Sequence, residues 1–342
     1  MNLPEYSVVI PAYQAADTID NCVRALHTQT VSRERYEIIV VDDASTDETT
    51  SVAKEAGADR VLSCPHGGPA AARNAGIKAA KGELVLFTDA DCEPSPGWVE
   101  QMTTPFADGR VMGAKGAYWT RQKEIVARLT QLEFEIRYER MARLTHTDFV
   151  DGYAAAYRRE LLAESGGFDP TYPIPSAEDV DLSFRLARQG HRLVFVPTAR
   201  VWHRHPVSLR VYLARKGLYG FWRALLYLRY PEKQGGDAHT DPSLKRQFLL
   251  VACAGLLGLG GLLCWPLAVG AAGSLVVFWL TTIPFVRWAW SRDRTVALVW
   301  PLVMLLRVLV QGTGLAAGLV YHKFITRRPM RGRETETILH DG

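Results

Sequence analysis

Short apolar runs alternate with stretches whose apolar residues recur at helical spacing through the N-terminal part of the chain. Tyr6 to Ile10 is a β-rich run cut off by Pro11, and Ile19, Cys22, Val23 and Leu26 then fall on one face of a helix over Ala16–Thr28. Tyr36 to Val41, YEIIVV, repeats the strand and ends at Asp42-Asp43; Ser45-Thr46-Asp47-Glu48 supply caps and first-turn acids for a helix to Ala56. Arg60–Ser63 is a short third strand, Pro69–Ala80 a helix, and Leu84–Thr88 a fourth strand ending in Asp89-Ala90-Asp91. Near-continuous apolar strands alternating with helices predict an α/β fold, a mostly parallel Rossmann-like sheet with helices on both faces. Ligands of such sheets sit beyond the carboxyl ends of the strands. Pro11-Ala12-Tyr13, Asp42-Asp43 and Asp89-Ala90-Asp91 all fall there.

Further on, Trp98 begins a short helix, Val111–Trp119 reads as a strand, and Arg121–His146 as a long charged helix. Val150–Tyr157, VDGYAAAY, is small and apolar, suited to a pocket floor. Glu178, Asp179 and Asp181 occupy the first turn of a helix, where acids often merely complement the dipole. Arg192–Val196 is a strand, and Val201-Trp202-His203-Arg204-His205 closes the globular part at residue 206.

The pattern changes after that point. Val207–Tyr230 interleaves Arg and Lys with Tyr, Trp and Leu, as an interfacial amphipathic helix on a membrane requires, with membrane lipids as its partners. Pro231–Pro242 is a linker by composition, and residues 207–246 form one interfacial region. Phe248–Val286 is uncharged over 39 residues. That is twice the length of about 20 needed for one helical crossing, so it is expected to cross twice, with a turn near Cys264-Trp265-Pro266 or Gly270–Gly273. Thr295–Tyr321 is a third apolar stretch interrupted by Arg307, and 247–322 becomes a membrane domain of two to three segments. Lys245-Arg246 before the pair and Arg287, Arg292 and Arg294 after it put both outer ends in the cytosol. A third full crossing would carry the basic tail, 323–342, to the other side; either Thr295–Tyr321 is re-entrant or broken, or the tail is an exception to the rule. Gly314 and Gly318, four apart, fit close helix packing.

Charge and cysteine usage narrow the class. A net charge of +4 without a recognition motif excludes nucleic acid as a partner. Five cysteines form no CxxC pair or spaced framework, which fits free thiols in a reducing compartment. The N-terminus lacks a basic start and a long apolar stretch, so no signal peptide is expected. The expectation is a multi-pass protein of the plasma (inner) membrane with its N-terminal domain in the cytosol.

Two residues apart on a strand, Asp89 and Asp91 point to one face and can aim at one point beyond its end. Two hard carboxylates with a diphosphate completing the shell is how Mg²⁺ or Mn²⁺ is usually bound, although an isolated DxD is more often a turn. No GxGxxG follows the first strand, which weakens a dinucleotide reading and leaves the phosphates to a metal. Arg73 and Asn74 lie on a helix preceded by glycines that let the backbone approach a ligand; alone, Arg73 would be a solvated charge. In the HxH of His203 and His205 both imidazoles share a face, and one could reach the same metal.

In this order SVVIPAY, VVDDASTDET, RNAGIKAAKGELVLFTDAD, GGFD and AEDVDLSFRLARQGH resemble a family 2 glycosyltransferase of the GT-A fold over Tyr6–His205. The C-terminal part more loosely resembles membrane-anchored bacterial members that build exopolysaccharides or lipid-linked glycans. The resemblance implies a nucleotide-sugar site at Pro11, Ala12, Tyr13, Asp42, Asp43, Arg73, Asn74 and Asp89, with a UDP-sugar as donor. Gln14 stands where many members have Asn. The resemblance further implies a divalent cation, Mg²⁺ or Mn²⁺, on Asp91 with Asp89, which His203 of the HxH is expected to join, and catalytic acids at Glu178 and Asp179, the latter as base. It implies inverting transfer to a hydroxyl of a lipid-linked acceptor. A polyprenyl-phosphate acceptor, a non-catalytic membrane-tethered scaffold and a nucleotidyltransferase are the competing readings. Trp222-Arg223 carries only the last two residue types of a processive QxxRW motif, in reversed order, which favours single-sugar transfer.

Overall fold

A computed structural model describes residues 3–238 and 240–325. Contacts divide them into two compact units, 3–206 with 237–238, and 207–236 with 240–325.

In the first unit the order is β1 (Tyr6–Ala12), α1 (Ile19–His27), β2 (Tyr36–Asp42), α2 (Thr49–Glu55), β3 (Arg60–Ser63), α3 (Gly68–Ala79), β4 (Leu84–Thr88), β5 (Cys92–Pro94), α4 (Trp98–Thr103), β6 (Val111–Trp119), α5 (Ile125–Met141), β7 (Ala154–Arg158), α6 (Arg159–Glu164), α7 (Glu178–Arg188) and β8 (Arg192–His203). The eight strands form one sheet in the order β3-β2-β1-β4-β7-β6-β8-β5. The half carrying β3, β2, β1 and β4 is parallel, as its near-continuous apolar strands predict. The other half is mixed: β7 runs antiparallel to both β4 and β6, and β5 antiparallel to β8, while β6 and β8 are parallel.

Alternation along the central strands separates two cores. Val8, Ile10, Ile38, Val40 and Leu86 face α1 and α4 through Ile19, Val23, Leu26 and Trp98. Val9, Ile39, Val41, Val85 and Phe87 face α3, α6 and α7 through Ala72, Leu161, Leu182 and Leu186. Burial on both faces is what makes these strands nearly continuous in apolar residues; Ser7 and Glu37, polar exceptions within them, are buried, and the Ser7 hydroxyl donates to the Glu37 carboxylate at 2.7 Å.

Two boundaries differ from the sequence reading. The charged helix is shorter, Ile125–Met141, and the two short C-terminal segments are one twelve-residue strand. That strand passes Pro197 at an irregularity where its pairing with β6 jumps from Lys115–Phe195 to Ala117–Arg200. Proline is tolerated in a strand at such a bulge because no ladder hydrogen bond is required of it. The expected linker is also not free of structure: Ala238 N–H donates to Asp148 Oδ1 at 2.9 Å, within the first unit.

The second unit is helical: α8 (Leu209–Arg229), α9 (Ser243–Gly261), α10 (Trp265–Trp290) and α11 (Arg294–Val320). α9, α10 and the helical stretch from Arg294 to Ile325 are long and apolar enough to cross a membrane. The break between α9 and α10 falls at Leu262–Cys264, the first of the two expected turns, with Pro266 in the first helical turn. α11 is one unbroken helix rather than a broken element. Its Arg307 is only 6% exposed and donates to Gln311 one turn on, at 3.1 Å. α8 packs on α11 through small residues: a Cβ on Gly314 would stand 2.1 Å from Gly217 O, and one on Gly318 2.2 Å from Phe221 O. Close backbone approach through glycine is the usual means of packing apolar helices. The tail residues Arg327, Arg328, Arg331 and Arg333 lie outside the described residues.

Candidate active site

The carboxyl ends of β1, β2 and β4 carry the predicted residues, and the loops that follow them are tied together. After β1, Gln14 has φ 50°, in the left-handed region. Its side chain donates to Thr46 Oγ1 at 2.8 Å and accepts from the Thr46 and Asp47 amides, while its own N–H donates to Ser45 Oγ. Ala12 O accepts from the Asp43 amide at 2.8 Å. Asp42 and Asp43 are both buried; Asp42 accepts from the Ser45 amide. Asp43 accepts from the amides of Gly67 and Gly68 at 2.8 and 2.9 Å, capping the start of α3, where a carboxylate also complements the helix dipole. His66 Nδ1 lies 3.0 Å from Asp43 Oδ2, and the exposed Tyr13 ring packs on His66 at 4.7 Å. Pro11, Ala12, Tyr13, Asp42 and Asp43 therefore share one wall, to which His66 is added.

Beyond β4 the two aspartates part company. Asp89 Oδ1 accepts from Arg73 Nη2 at 2.9 Å, whereas Asp91 Oδ2 lies 3.2 Å from His203 Nε2. The chain leaves the strand at Thr88 and turns, with Cys92 N–H donating to Asp89 O, so the two side chains do not share the strand face that period-two spacing implies. Among the described residues, no three acidic, His or Cys side chains gather as a metal set. Asp91 with His203 nevertheless suits Mg²⁺ or Mn²⁺, because such ions are commonly held by one or two protein ligands, with waters and substrate phosphates completing the shell.

Arg73, predicted as a ligand contact, is a buried bridge. Its side chain is 5% exposed and its other arm donates to Glu178 Oε1 at 2.8 Å. Burial opposes the charge, and Asp89, Glu178 and Asp179 outweigh it, holding the guanidinium above its usual range. Glu178 is thereby committed: Oε1 takes Arg73 and Oε2 the Ser176 amide. Asn74 is committed too, since both ends of its amide bond the backbone of Phe168 at 2.8 Å; it pins the Gly166-Gly167-Phe168 turn.

Asp179 differs from its neighbour. It accepts from the Gly152 and Val180 amides at 2.9 and 2.7 Å, and among the described residues no side chain hydrogen-bonds to it. Burial, then the adjacent Glu178 charge, raise its carboxyl to about 6, with Arg73 and the two amides pulling the other way. A partly shielded carboxylate with a raised pKa is suited to general-base work.

Besides His66, three residues around the candidate site carry no individual role in the sequence. Gly152 supplies the amide that orients Asp179, Asp151 precedes it, and Lys115 bonds the Asp151 carboxylate. The signal was a lone lysine inside the apolar strand VMGAKGAYW.

Residues 7–166 match the family model described as Glycosyl transferase family 2. The pre-mycofactocin glycosyltransferase of Mycobacterium tuberculosis is 32% identical over 268 residues, 75% of this chain and 55% of that protein. Glycosyltransferase AglE of Haloferax volcanii is 36% identical over 29% of this chain and 34% of its own length. The chain thus spans about half the length of the first of these relatives. Among solved structures, the mannosyltransferase PcManGT of Pyrobaculum calidifontis, in complex with GDP-Man and Mn²⁺, is similar in fold, with a TM-score of 0.61 and 20% identity over 92% of this chain and 88% of that one.

Proposed function

The chain carries a Glycosyl transferase family 2 domain of the GT-A fold, and from this premise we propose that it transfers a sugar from a nucleoside diphosphate sugar to a hydroxyl of a membrane-associated, lipid-linked acceptor. The observation that carries the reading is Asp179, held by two amides at 2.9 and 2.7 Å and left without the ion pair that occupies Glu178.

The wall of Tyr13, His66, Asp42 and Asp43 receives the nucleoside of the donor, a UDP-sugar. Asp91 and His203 would hold a divalent cation, which when bound neutralises charge on the diphosphate leaving group. Asp179 takes the proton of the acceptor hydroxyl as its oxygen bonds to the anomeric carbon and the carbon–oxygen bond to the diphosphate breaks. The proton then leaves Asp179 for solvent. One displacement by one base inverts the anomeric configuration, so an α-linked donor gives a β-linked product.

In this reading α9, α10 and α11 span the plasma membrane, with the catalytic domain cytosolic and α8 near the bilayer surface. Lipid-facing side chains are apolar in such helices, and Leu256, Leu259, Leu280 and Leu298 are all exposed. A second acceptor has one observation in its favour, the name of the 32% identical relative, which refers to pre-mycofactocin.

The test uses the purified full chain in detergent with a panel of nucleotide sugars and Mn²⁺ or Mg²⁺. Nucleotide release and sugar transfer are followed with membrane lipid extract and with pre-mycofactocin as acceptors. Donor-dependent transfer that is lost in Asp91→Asn supports the reading. No turnover with any donor, or full activity in Asp91→Asn, sinks it. Asp179→Asn is expected to bind donor and fail to glycosylate a hydroxyl; normal transfer by that variant points instead to a phosphate acceptor, which needs no base.

A further inference from the structure

Lys115 stands at the centre of β6 with no solvent exposure. It pairs with Ala155 on β7 and Phe195 on β8, next to the irregularity of β8. Its ammonium lies 5.1 Å from the Phe149 ring, 5.7 Å from Tyr153 and 5.9 Å from Tyr138. Its ionic partner is the carboxylate of Asp151, which is 14% exposed. Replacing such a buried pair by apolar residues is often neutral or stabilising, so the pair is poor evidence for stability and invites another role.

The connection runs to the base in two short steps. Asp151 is followed by Gly152, whose N–H donates to Asp179 Oδ2 at 2.9 Å. Gly152 is wedged in place from its other side, since a Cβ there would lie 2.8 Å from Arg73 Cζ. Whatever fixes Asp151 therefore fixes an amide aimed at the proposed base. Burial lowers the Lys115 ammonium to about 7; Asp179 is the largest influence keeping it charged, Arg137 opposes, and Asp237 supports.

We propose that Lys115 is a positioning residue for Asp179: by holding Asp151 it sets the Gly152 amide against the Asp179 carboxylate, and its charge favours the ionised base. This rests on Asp179 being the base. The charged and titratable groups around Asp179 are Glu178 on its own helix, Arg73 from α3, Lys115 from β6 and Asp151 before β7. Around Lys115 stand Asp151, Asp179, Arg137 of α5, Asp237 and the phenols of Tyr138 and Tyr153.

The test measures pH profiles of kcat and donor KM for the full chain in detergent, in Lys115→Met and in the double variant Lys115→Met/Asp151→Asn, which strands no charge and is expected to fold. Loss of folding alone would scale kcat equally at every pH. Positioning of the base predicts an acid limb moved up by about one pH unit and kcat at pH 6.5 down about threefold, with donor KM within about twofold. A folded double variant with the wild-type limb and kcat overturns the proposal. Asp179→Asn separates the two failures: if it is inactive while the Lys115 variants keep the wild-type limb, only the role of Lys115 falls. Should Asp179→Asn transfer normally, the base assignment falls and the role of Lys115 with it.

Discussion

Arg73 Nη1 donates to Glu178 Oε1 at 2.8 Å across 105 residues of sequence, with both side chains almost wholly buried. Removing one partner of a buried pair leaves the other charge uncompensated, at a cost of about 3–5 kcal/mol. Arg73→Met strands Glu178 and half-buried Asp89 together. A melting temperature well below wild type is expected, followed by intrinsic fluorescence in detergent. Glu178→Gln, which keeps an acceptor for Arg73, is expected to lose less. Equal melting of Arg73→Met and wild type would show that the bridge contributes nothing.

Gln14 ties the loop after β1 to the loop after β2 through its amide, Thr46 and Asp47. These bonds are solvent-exposed, so each contributes at most about 1 kcal/mol. Under the proposed function, their effect lies in shaping the wall that receives the nucleotide. Gln14→Ala is expected to raise donor KM several-fold, with kcat nearly unchanged and the melting temperature within a few degrees; isothermal titration with the donor nucleotide provides the second measurement. A kcat loss at constant KM would place Gln14 in the chemistry instead.

The strand ends were readable because burial on both faces makes the strands nearly continuous in apolar residues, and the polar residues at their carboxyl ends, Tyr13, Asp42-Asp43 and Asp89, mark the proposed donor side of the sheet. The pairing partners were not readable. Glu178 and Asp179 look equivalent in sequence, yet successive helical positions point about 100° apart, and Arg73 claims only one of them. Asn74 reads as a ligand contact because glycines precede its helix, but its partner is Phe168, on the turn before α7. Lys115 carries no periodic signal at all, since its meaning depends on Asp151, which only the sheet brings beside it.

Asp179 sets an expectation for pH. Its carboxyl is raised from 3.8 to about 6, so the folded state holds the proton more tightly than the unfolded chain. The stability this contributes is fully present below pH 4 and is lost as pH rises through about 6. Asp179→Asn lacks that titration. The melting temperature of wild type minus that of Asp179→Asn is therefore expected to fall between pH 4.5 and 7.5. A difference that is flat, or rises, over that range would mean the carboxyl is not raised. In the proposed role of base, Asp179 gives activity as it ionises, so activity moves the opposite way and the same group trades stability for function.

In the helical unit, Gly314 and Gly273 offer a paired comparison. A Cβ on Gly314 meets Gly217 O at 2.1 Å, whereas one on Gly273 meets nothing within 4 Å. In an open helical position Gly→Ala gains about 1 kcal/mol of helix propensity. At a close backbone contact the helices must separate, and overpacking costs about 1–3 kcal/mol. Gly273→Ala is expected to melt at or above the wild-type temperature. Gly314→Ala is expected to melt several degrees lower, because α8 must move off α11 along a face where Gly318 has the same constraint. Catalysis in the first unit should survive at low temperature in both, provided its fold is independent of that helix pair. Indistinguishable melting of the two variants would mean that the α8–α11 contact does not set the stability of this unit.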